Sequence, residues 1–371
     1  MRVGIPTEIK NNEYRVAITP AGVSELVRRG HDVMVQAGAG DGSAIPDGDF
    51  KAAGAQLVAS ADDVWAQADL LLKVKEPIEP EYARMRKGQT LFTYLHLAAS
   101  RPCTDALLAS GTTSIAYETV QTADGALPLL APMSEVAGRL SAQVGAYHLM
   151  RTQGGRGVLM GGVPGVAPAR VVVIGGGMAG DNAAAVAWGM GAHVTVFDLN
   201  VNILRKIDAE YGGAIETRYS SRLDLEDAVK QADLVIGAVL VPGAKAPKLV
   251  TNETVAQMKP GSVLVDIAID QGGCFEDSKP TTHDNPTFNV HNSVFYCVAN
   301  MPGAVPRTST YALTNATMPY VLKLADKGWQ GACLADQALA KGLSTHEGQL
   351  LNAEVAHDLE LPYTEPAGLL A

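Results

Sequence analysis

The sequence predicts an α/β protein whose strands form largely parallel sheets. Three observations carry this. Short apolar, β-branched runs alternate with helical stretches almost from end to end. One of these runs, Val171-Val172-Val173-Ile174, passes directly into a glycine-rich turn and then an alanine-rich helix. The length of 371 residues is enough for two domains of ~150 residues, with room for a third.

The first series of strands is expected at 2–6, 32–36, 69–74, 90–94 and 113–117. Helices fill the intervals, for example 21–29, closed by Gly30 as a C-cap. The Leu-Pro-Leu-Leu-Ala-Pro run at 127–132 reads as a turn, and the proline-free stretch 134–150 as a long helix. Apolar residues interrupt the glycines of 154–165, so this segment reads as a tight, ordered connection at a domain junction. A second series follows at 170–174, 193–197, 214–217, 233–238, 262–267 and 293–298. After Pro306 the chain returns to helix at 310–325, with shorter helices at 335–341 and 347–357.

Within the second series, Gly175-x-Gly177-x-x-Gly180 sits between a strand and a helix expected at 181–190. Gly175 permits the tight turn, Gly177 lets the backbone approach a pyrophosphate, and Gly180 lets helix and strand pack closely. The helix N-terminus then offers unpaired N–H groups to the phosphates. A glycine pattern alone is weak in a chain with 38 glycines. Here the next strand ends at Asp198, near the distance of ~20 residues expected for the acid that binds the adenosine ribose. A carboxylate there repels a 2′-phosphate, so NAD is favoured over NADP, although Arg205 and Lys206 stand on the following helix.

The formal net charge of −10 argues against nucleic acid and, weakly, against anionic membranes. No apolar run approaches the ~20 residues that a bilayer requires. The amino terminus has no signal-peptide pattern, and the four cysteines (Cys103, Cys274, Cys297, Cys333) contain no Cys-x-x-Cys pair. Free, mostly buried thiols in a cytoplasmic protein are expected, with neither a zinc site nor a disulfide framework.

Ligands in open α/β sheets lie beyond the carboxyl ends of the strands. That directs attention to Arg15 after the first strand, Lys75 after Leu70–Leu72, His96 after Phe92-Thr93-Tyr94-Leu95, and Asp270 after the run 263–269. Singly, each has a bland alternative: a surface cation for Arg15 and Lys75, a buried histidine for His96, a turn initiator for Asp270. Together they are chemically coherent. Two cations can hold a carboxylate and a carbonyl, while a histidine and a carboxylate move protons, which suits oxidation of a small amino or hydroxy acid. Glu118 and Asp124 read as flanking a turn. His148 and His193 fall in element interiors, Thr281-Thr282-His283-Asp284 reads as an irregular loop, and His346-Glu347 as a helix start.

The residues Gly4-Ile5-Pro6-x-Glu8, Asn12-Glu13-x-Arg15-Val16-Ala17-x-Thr19-Pro20, Lys73-Val74-Lys75-Glu76-Pro77, Thr93-Tyr94-Leu95-His96, Pro132-Met133-Ser134-Glu135-Val136-Ala137-Gly138 and Ala299-Asn300-Met301-Pro302 form a long and specific pattern. With it the chain resembles the family of L-alanine dehydrogenases and NAD(H)-binding transhydrogenase subunits over essentially its whole length, and most of all the actinobacterial L-alanine dehydrogenases. The resemblance implies two Rossmann-like doubly wound domains, with a cofactor domain at 129–306 inserted into a discontinuous substrate domain at 1–128 and 307–371. It implies reversible NAD-dependent deamination of L-alanine to pyruvate and ammonia by a cytoplasmic homohexamer, with hydride loss from the α-carbon followed by hydrolysis of the imine. An alkaline optimum for deamination is expected. The rival within the family is the transhydrogenase subunit; the rival outside it is a redox-inactive NAD sensor.

By position, the resemblance makes Arg15 and Lys75 substrate-binding and His96 and Asp270 catalytic, with Tyr94 and Met133 closing the pocket over the small side chain. It assigns cofactor contacts to Ser134, to Gly175, Gly177, Met178, Ala179 and Gly180, and to Asp198 and Ser220. It adds Val239, Leu240, Ile267, Ala268, Ile269, Asp270 and Lys279, then Val298, Ala299, Asn300 and Met301. Lys279 stands where the family often has arginine. Lys327 replaces a histidine that pairs with Glu118 at a metal in relatives, so no metal is expected.

Overall fold

A computed structural model describes residues 1–239 and 246–370. The chain divides into two compact units, Met1–Met133 with Val305–Ala371, and Ser134–Ala304. The first division falls inside the helix Ala131–His148. Residues 131–133, expected in or beside a turn, begin that helix because proline is tolerated in a first turn, where its missing N–H has no partner to lose.

Six strands come from the chain's first third: β1 (Arg2–Ile5), β2 (Asp32–Gln36), β3 (Gln56–Val58), β4 (Leu70–Leu72), β5 (Thr90–Thr93) and β6 (Thr113–Ala116). Seven follow in the second unit: β7 (Arg170–Ile174), β8 (His193–Asp198), β9 (Glu216–Tyr219), β10 (Leu234–Gly237), β11 (Val263–Asp266), β12 (Thr287–Val290) and β13 (Ser293–Tyr296). The return of the chain adds β14 (Leu343–His346) and β15 (Gln349–Leu350).

The first sheet is ordered β15-β14-β6-β5-β4-β1-β2-β3 and the second β12-β13-β11-β10-β7-β8-β9. Strands β1–β6 are parallel, as are β7–β11 with β13, while β14 joins β6 and β12 joins β13 antiparallel. Both parallel cores therefore share one winding: the first strand lies centrally, two strands extend to one side and three to the other. The order reverses between β1 and β4, and again between β7 and β10, and ligand crevices of doubly wound sheets form at such reversals.

Buried apolar strands explain why the pattern was legible. β4 and β10 are buried along their whole length, as parallel strands covered on both faces must be. The first unit packs Trp65, Leu71, Leu91 and Leu107 in one core; the second packs Val235, Leu264, Phe275 and Phe295 in another. All four cysteines are buried and free. Thr19 caps the helix Pro20–Arg28 by accepting the N–H of Gly22, and Gly30 follows it at φ +83°.

Three expectations need correction. Residues 347–357 are not one helix: His346 ends β14, Glu347 turns at φ +45°, β15 follows, and the helix spans Ala353–Leu359. The helix expected at 310–325 runs over Pro306–Ala335 with a kink at Gly328. The short strands β3, β12 and β15 at sheet edges, and β14 beside β15, carry too few residues for a periodic signal, and β9 lies two residues beyond 214–217.

Candidate active site

In the first unit, the residues singled out by the sequence follow β1, β4 and β5. Arg15 is 2% exposed. Its Nε and one terminal nitrogen donate to the two oxygens of Glu13 at 2.6 and 2.5 Å, and the other terminal nitrogen lies 3.0 Å from Met133 Sδ. Burial opposes the charge on Arg15, but the Glu13 hydrogen bond and charge leave its pKa above the ordinary value. The pair is thus a fixed guanidinium whose fork is aligned from one side and faces a soft apolar residue on another.

Beyond β4 the chain bends at Val74 and Lys75, so the side chains of Lys73 and Lys75 part instead of sharing the one face that an extended strand would give them. Lys73 is 1% exposed and its ammonium sits between Glu8, at 2.9 Å, and Glu81, at 2.8 Å. Glu8 also accepts the N–H of Val74 at 2.6 Å, tying the end of β4 to the loop after β1. Lys75 instead brings its Nζ to 5.9 Å from the centre of the Tyr94 ring. The carbonyl of Lys75 accepts from Thr93 Oγ1 at 3.0 Å.

Tyr94 is buried, donates its hydroxyl to the carbonyl of Leu129 at 2.5 Å, and meets Tyr117 edge to face. Burial pushes its pKa up. The His96 ring lies nearly parallel to it, with centroids 5.9 Å apart. His96 takes a left-handed backbone, φ +48° and ψ +41°, which is uncommon for a residue with a Cβ. Glu118 supports that turn: its carboxylate accepts the N–H of His96 at 2.6 Å and of Leu95 at 3.1 Å. Nearby, Glu76 pairs with Lys10. Burial would raise its pKa, but the Lys10 hydrogen bond and charge, with Lys75 and His96, hold it below the usual carboxylate range.

In the second unit, the glycine loop joins β7 to the helix Met178–Gly189, which begins three residues earlier than expected. Gly175 has φ +93°, and a Cβ there would come 2.8 Å from the carbonyl oxygen of Ala238. At Gly180 a Cβ would fall 1.7 Å from the carbonyl oxygen of Gly175. A Cβ on Gly177 would meet no atom within 4 Å, so the backbone ahead of the helix faces open space. Such a cradle, with Met178 and Ala179 in the first helical turn, fits a pyrophosphate. Asp198 ends β8, where one oxygen accepts the N–H of Gly176 at 2.7 Å and the other that of Asn200 at 2.7 Å. Ser220 donates its N–H to the Asp198 carbonyl. Lys206 binds Asp181 at 3.2 Å, and Arg205 binds Asn202 at 2.9 Å, so neither cation pairs with Asp198.

Asp270 is exposed near the end of a 3-10 turn, Ile267–Gln271, directly after β11. Ala268 and Ile269 are buried beneath it. Val239 packs beside the second core; Leu240 lies outside the described residues. Lys279 places its Nζ 4.4 Å over the Phe288 ring. Val298 and Met301 are buried, Ala299 donates to the Thr281 carbonyl, and Asn300 turns at φ +61° while its carbonyl meets His283 Nε2 at 3.2 Å. Ser134 is half-buried in the helix Ala131–His148. Among the described residues, no three His, Cys, Asp or Glu side chains are grouped to hold a metal, and no helix is long and apolar enough to cross a membrane.

Sequence reasoning passed over Glu13 and Glu118 as functional groups, and did not single out Asp266. Asp266 carried a signal in plain view: a carboxylate within the otherwise apolar run Val263–Ile269 must be buried or end the strand, and it does both. Glu118 carried none, because its contact with His96 is created by the pairing of β5 with β6.

Two family models match the chain: "Alanine dehydrogenase/PNT, N-terminal domain" over residues 4–137 and "Alanine dehydrogenase/PNT, C-terminal domain" over 141–353. The chain is 82% identical to an alanine dehydrogenase of Mycolicibacterium smegmatis and 78% identical to one of Mycobacterium tuberculosis, in both cases over 100% of each chain. A solved L-alanine dehydrogenase superposes with a TM-score of 0.95 at 52% identity, over 97% of this chain and 99% of that one. A transhydrogenase from Sinorhizobium meliloti gives 0.82 at 26% identity, over 95% and 100%.

Proposed function

The chain belongs to the alanine dehydrogenase/PNT family, and from that premise we propose that Arg15, Lys75, His96 and Asp270 carry its chemistry. Its activity is the NAD-dependent, reversible oxidative deamination of L-alanine to pyruvate and ammonia. The transhydrogenase reading recedes, since that relative stands at 26% identity against 82% for the dehydrogenase.

The glycine loop and Asp198 hold the cofactor in this reading. When bound, its nicotinamide accepts the hydride from the alanine α-carbon. Arg15 grips the substrate carboxylate, with Glu13 keeping the guanidinium oriented. Lys75 places a point charge near the α-nitrogen, or near the carbonyl oxygen in the reverse direction. His96 and Asp270 move protons: a ring nitrogen or a carboxylate oxygen takes a proton from the water that adds to the imine carbon, and a proton then reaches the departing amine. Tyr94 and Met133 bound the space for the methyl group. A pocket of this kind separates substrates differing by one methylene by only ~1–3 kcal/mol, so close analogues turn over slowly.

The observation that carries the assignment is the grouping around Tyr94, with the Lys75 ammonium and the His96 ring each 5.9 Å from it. NADH formation from L-alanine, measured for the wild type and for His96→Ala, tests it. The variant is expected to lose turnover while NADH affinity stays nearly intact; loss of both would make His96 structural. We also propose a cytoplasmic homohexamer, supported by the family resemblance and by four buried, unpaired thiols that suit a reducing compartment. Sedimentation and cell fractionation test these two points.

A further inference from the structure

The segment 267–278 carries Asp270, and two charges, a buried carboxylate and an exposed ammonium, hold it from opposite chemical sides. The Asp266 carboxylate is fully buried at the end of β11. It accepts the N–H of Ala268 at 3.0 Å, of Cys274 at 2.9 Å and of Phe275 at 3.3 Å, together with the Ser278 hydroxyl. The Lys248 ammonium takes the carbonyls: it donates to Gly272 at 2.6 Å, Gly273 at 2.9 Å and Phe275 at 2.9 Å. Gly273 stands where a Cβ would come 2.6 Å from Asp266, at φ +74°, so the segment can wrap this tightly only with glycine there.

A buried carboxylate is tolerated when its oxygens are met by donors, and here all of them come from the one segment that it organises. Loop carbonyls gathered on one ammonium remove the loop's remaining freedom to turn. Arginine or lysine on a surface loop ordinarily points to water; Lys248 spends its three donors on three backbone carbonyls.

We propose that Asp266 and Lys248 are a paired positioning device that holds the Asp270 turn in its working geometry. Neither touches the reacting atoms; both act through the backbone of 267–278. The inference rests on the reading that Asp270 is catalytic.

The test uses the full-length enzyme. Lys248→Met and Ser278→Ala are made beside Asp270→Asn, because Asp266→Asn removes a buried charge and is the variant most prone to misfold. NADH titration by fluorescence counts the folded sites. Turnover per NADH-binding site is expected to fall about tenfold in Lys248→Met, in keeping with three lost charge-assisted hydrogen bonds, with the KM for L-alanine unchanged. Amide hydrogen exchange across 267–278 is expected to speed up in the variant without cofactor, and Lys248→Arg to restore both readouts. Unchanged turnover per site and unchanged exchange in Lys248→Met and Ser278→Ala, with Asp270→Asn inactive, would overturn the positioning role alone. Full turnover in Asp270→Asn would overturn the catalytic reading of Asp270, and the positioning role with it.

Discussion

The N–H of His96 donates to Glu118 at 2.6 Å, and the neighbouring N–H of Leu95 donates to the same carboxylate. One acidic side chain after β6 thereby holds the left-handed turn that aims a histidine after β5. Such a backbone conformation costs about 1–3 kcal/mol and persists only where its surroundings over-determine it.

Glu118→Ala should therefore release the turn. It is expected to destabilise the protein by about 1–3 kcal/mol through two unmet N–H groups, and to lower turnover with little change in NADH affinity. Glu118→Gln, which keeps an acceptor oxygen, should fall between the two. Urea denaturation and steady-state rates check this; equal losses in both variants would mean that the charge, not the turn, matters.

Arg15→Lys keeps the positive charge and loses the planar fork. Glu13, buried beside it, would keep the backbone N–H of residue 15 but exchange the two guanidinium hydrogen bonds for a point charge. The KM for L-alanine is expected to rise roughly 10- to 100-fold, the range of ~1.5–3 kcal/mol for a charged hydrogen bond, with a smaller effect on the KM for NAD. Initial rates at varied alanine and at varied NAD separate the two.

Two glycines of one loop should fail differently. Gly180→Ala would drive its Cβ into the Gly175 carbonyl and is expected to lower stability by about 1–3 kcal/mol or more. Gly177→Ala meets nothing in the protein, so its melting temperature should match the wild type while NADH affinity drops. A stable Gly177→Ala with full NADH affinity would remove the pyrophosphate from that position.

Glu76 sets a pH-dependent contribution to stability. Its folded pKa is depressed below the ordinary 4.5, the Lys10 pair outweighing burial. Its contribution is thus present above about pH 4.5 and is lost as pH falls through the lower folded value. Glu76→Gln should be less stable than the wild type at pH 7, with the gap closing in acid. A gap independent of pH, read from denaturation curves at pH 7 and at pH 3.5 to 4, would count against the ion pair as its source.

Much of this molecule is written locally. Runs such as Val171–Ile174, short, β-branched and apolar throughout, suit parallel strands covered on both faces. Gly175, Gly177 and Gly180 state their own steric reasons, and Asp198 follows at the spacing that one βαβ turn imposes. The strands β3, β12 and β15 at sheet edges, and β14 next to one, were not legible, since two to four residues at the margin of a sheet owe their conformation to the neighbours they pair with. For the same reason the turn and second strand of the hairpin, from His346-Glu347 onward, read locally as the start of a helix.

By itself the sequence determined that two series of parallel strands exist, that one opens on a dinucleotide loop, and that Arg15, Lys75, His96 and Asp270 stand in the segments that follow strands. These follow from period, spacing and residue type, which need only near neighbours along the chain. Tertiary structure alone decided what each of those residues leans on. Glu13 aligns Arg15, Glu118 holds His96, and Asp266 with Lys248 wraps the turn below Asp270. The Glu118 contact joins residues 22 positions apart and the first Lys248 contact 24 apart, while Asp266 gathers the amides of a single folded segment from Ala268 to Phe275. They arise from the register of strands in a sheet and from the way a folded segment brings amides to a buried carboxylate and carbonyls to an ammonium, and no local pattern encodes either.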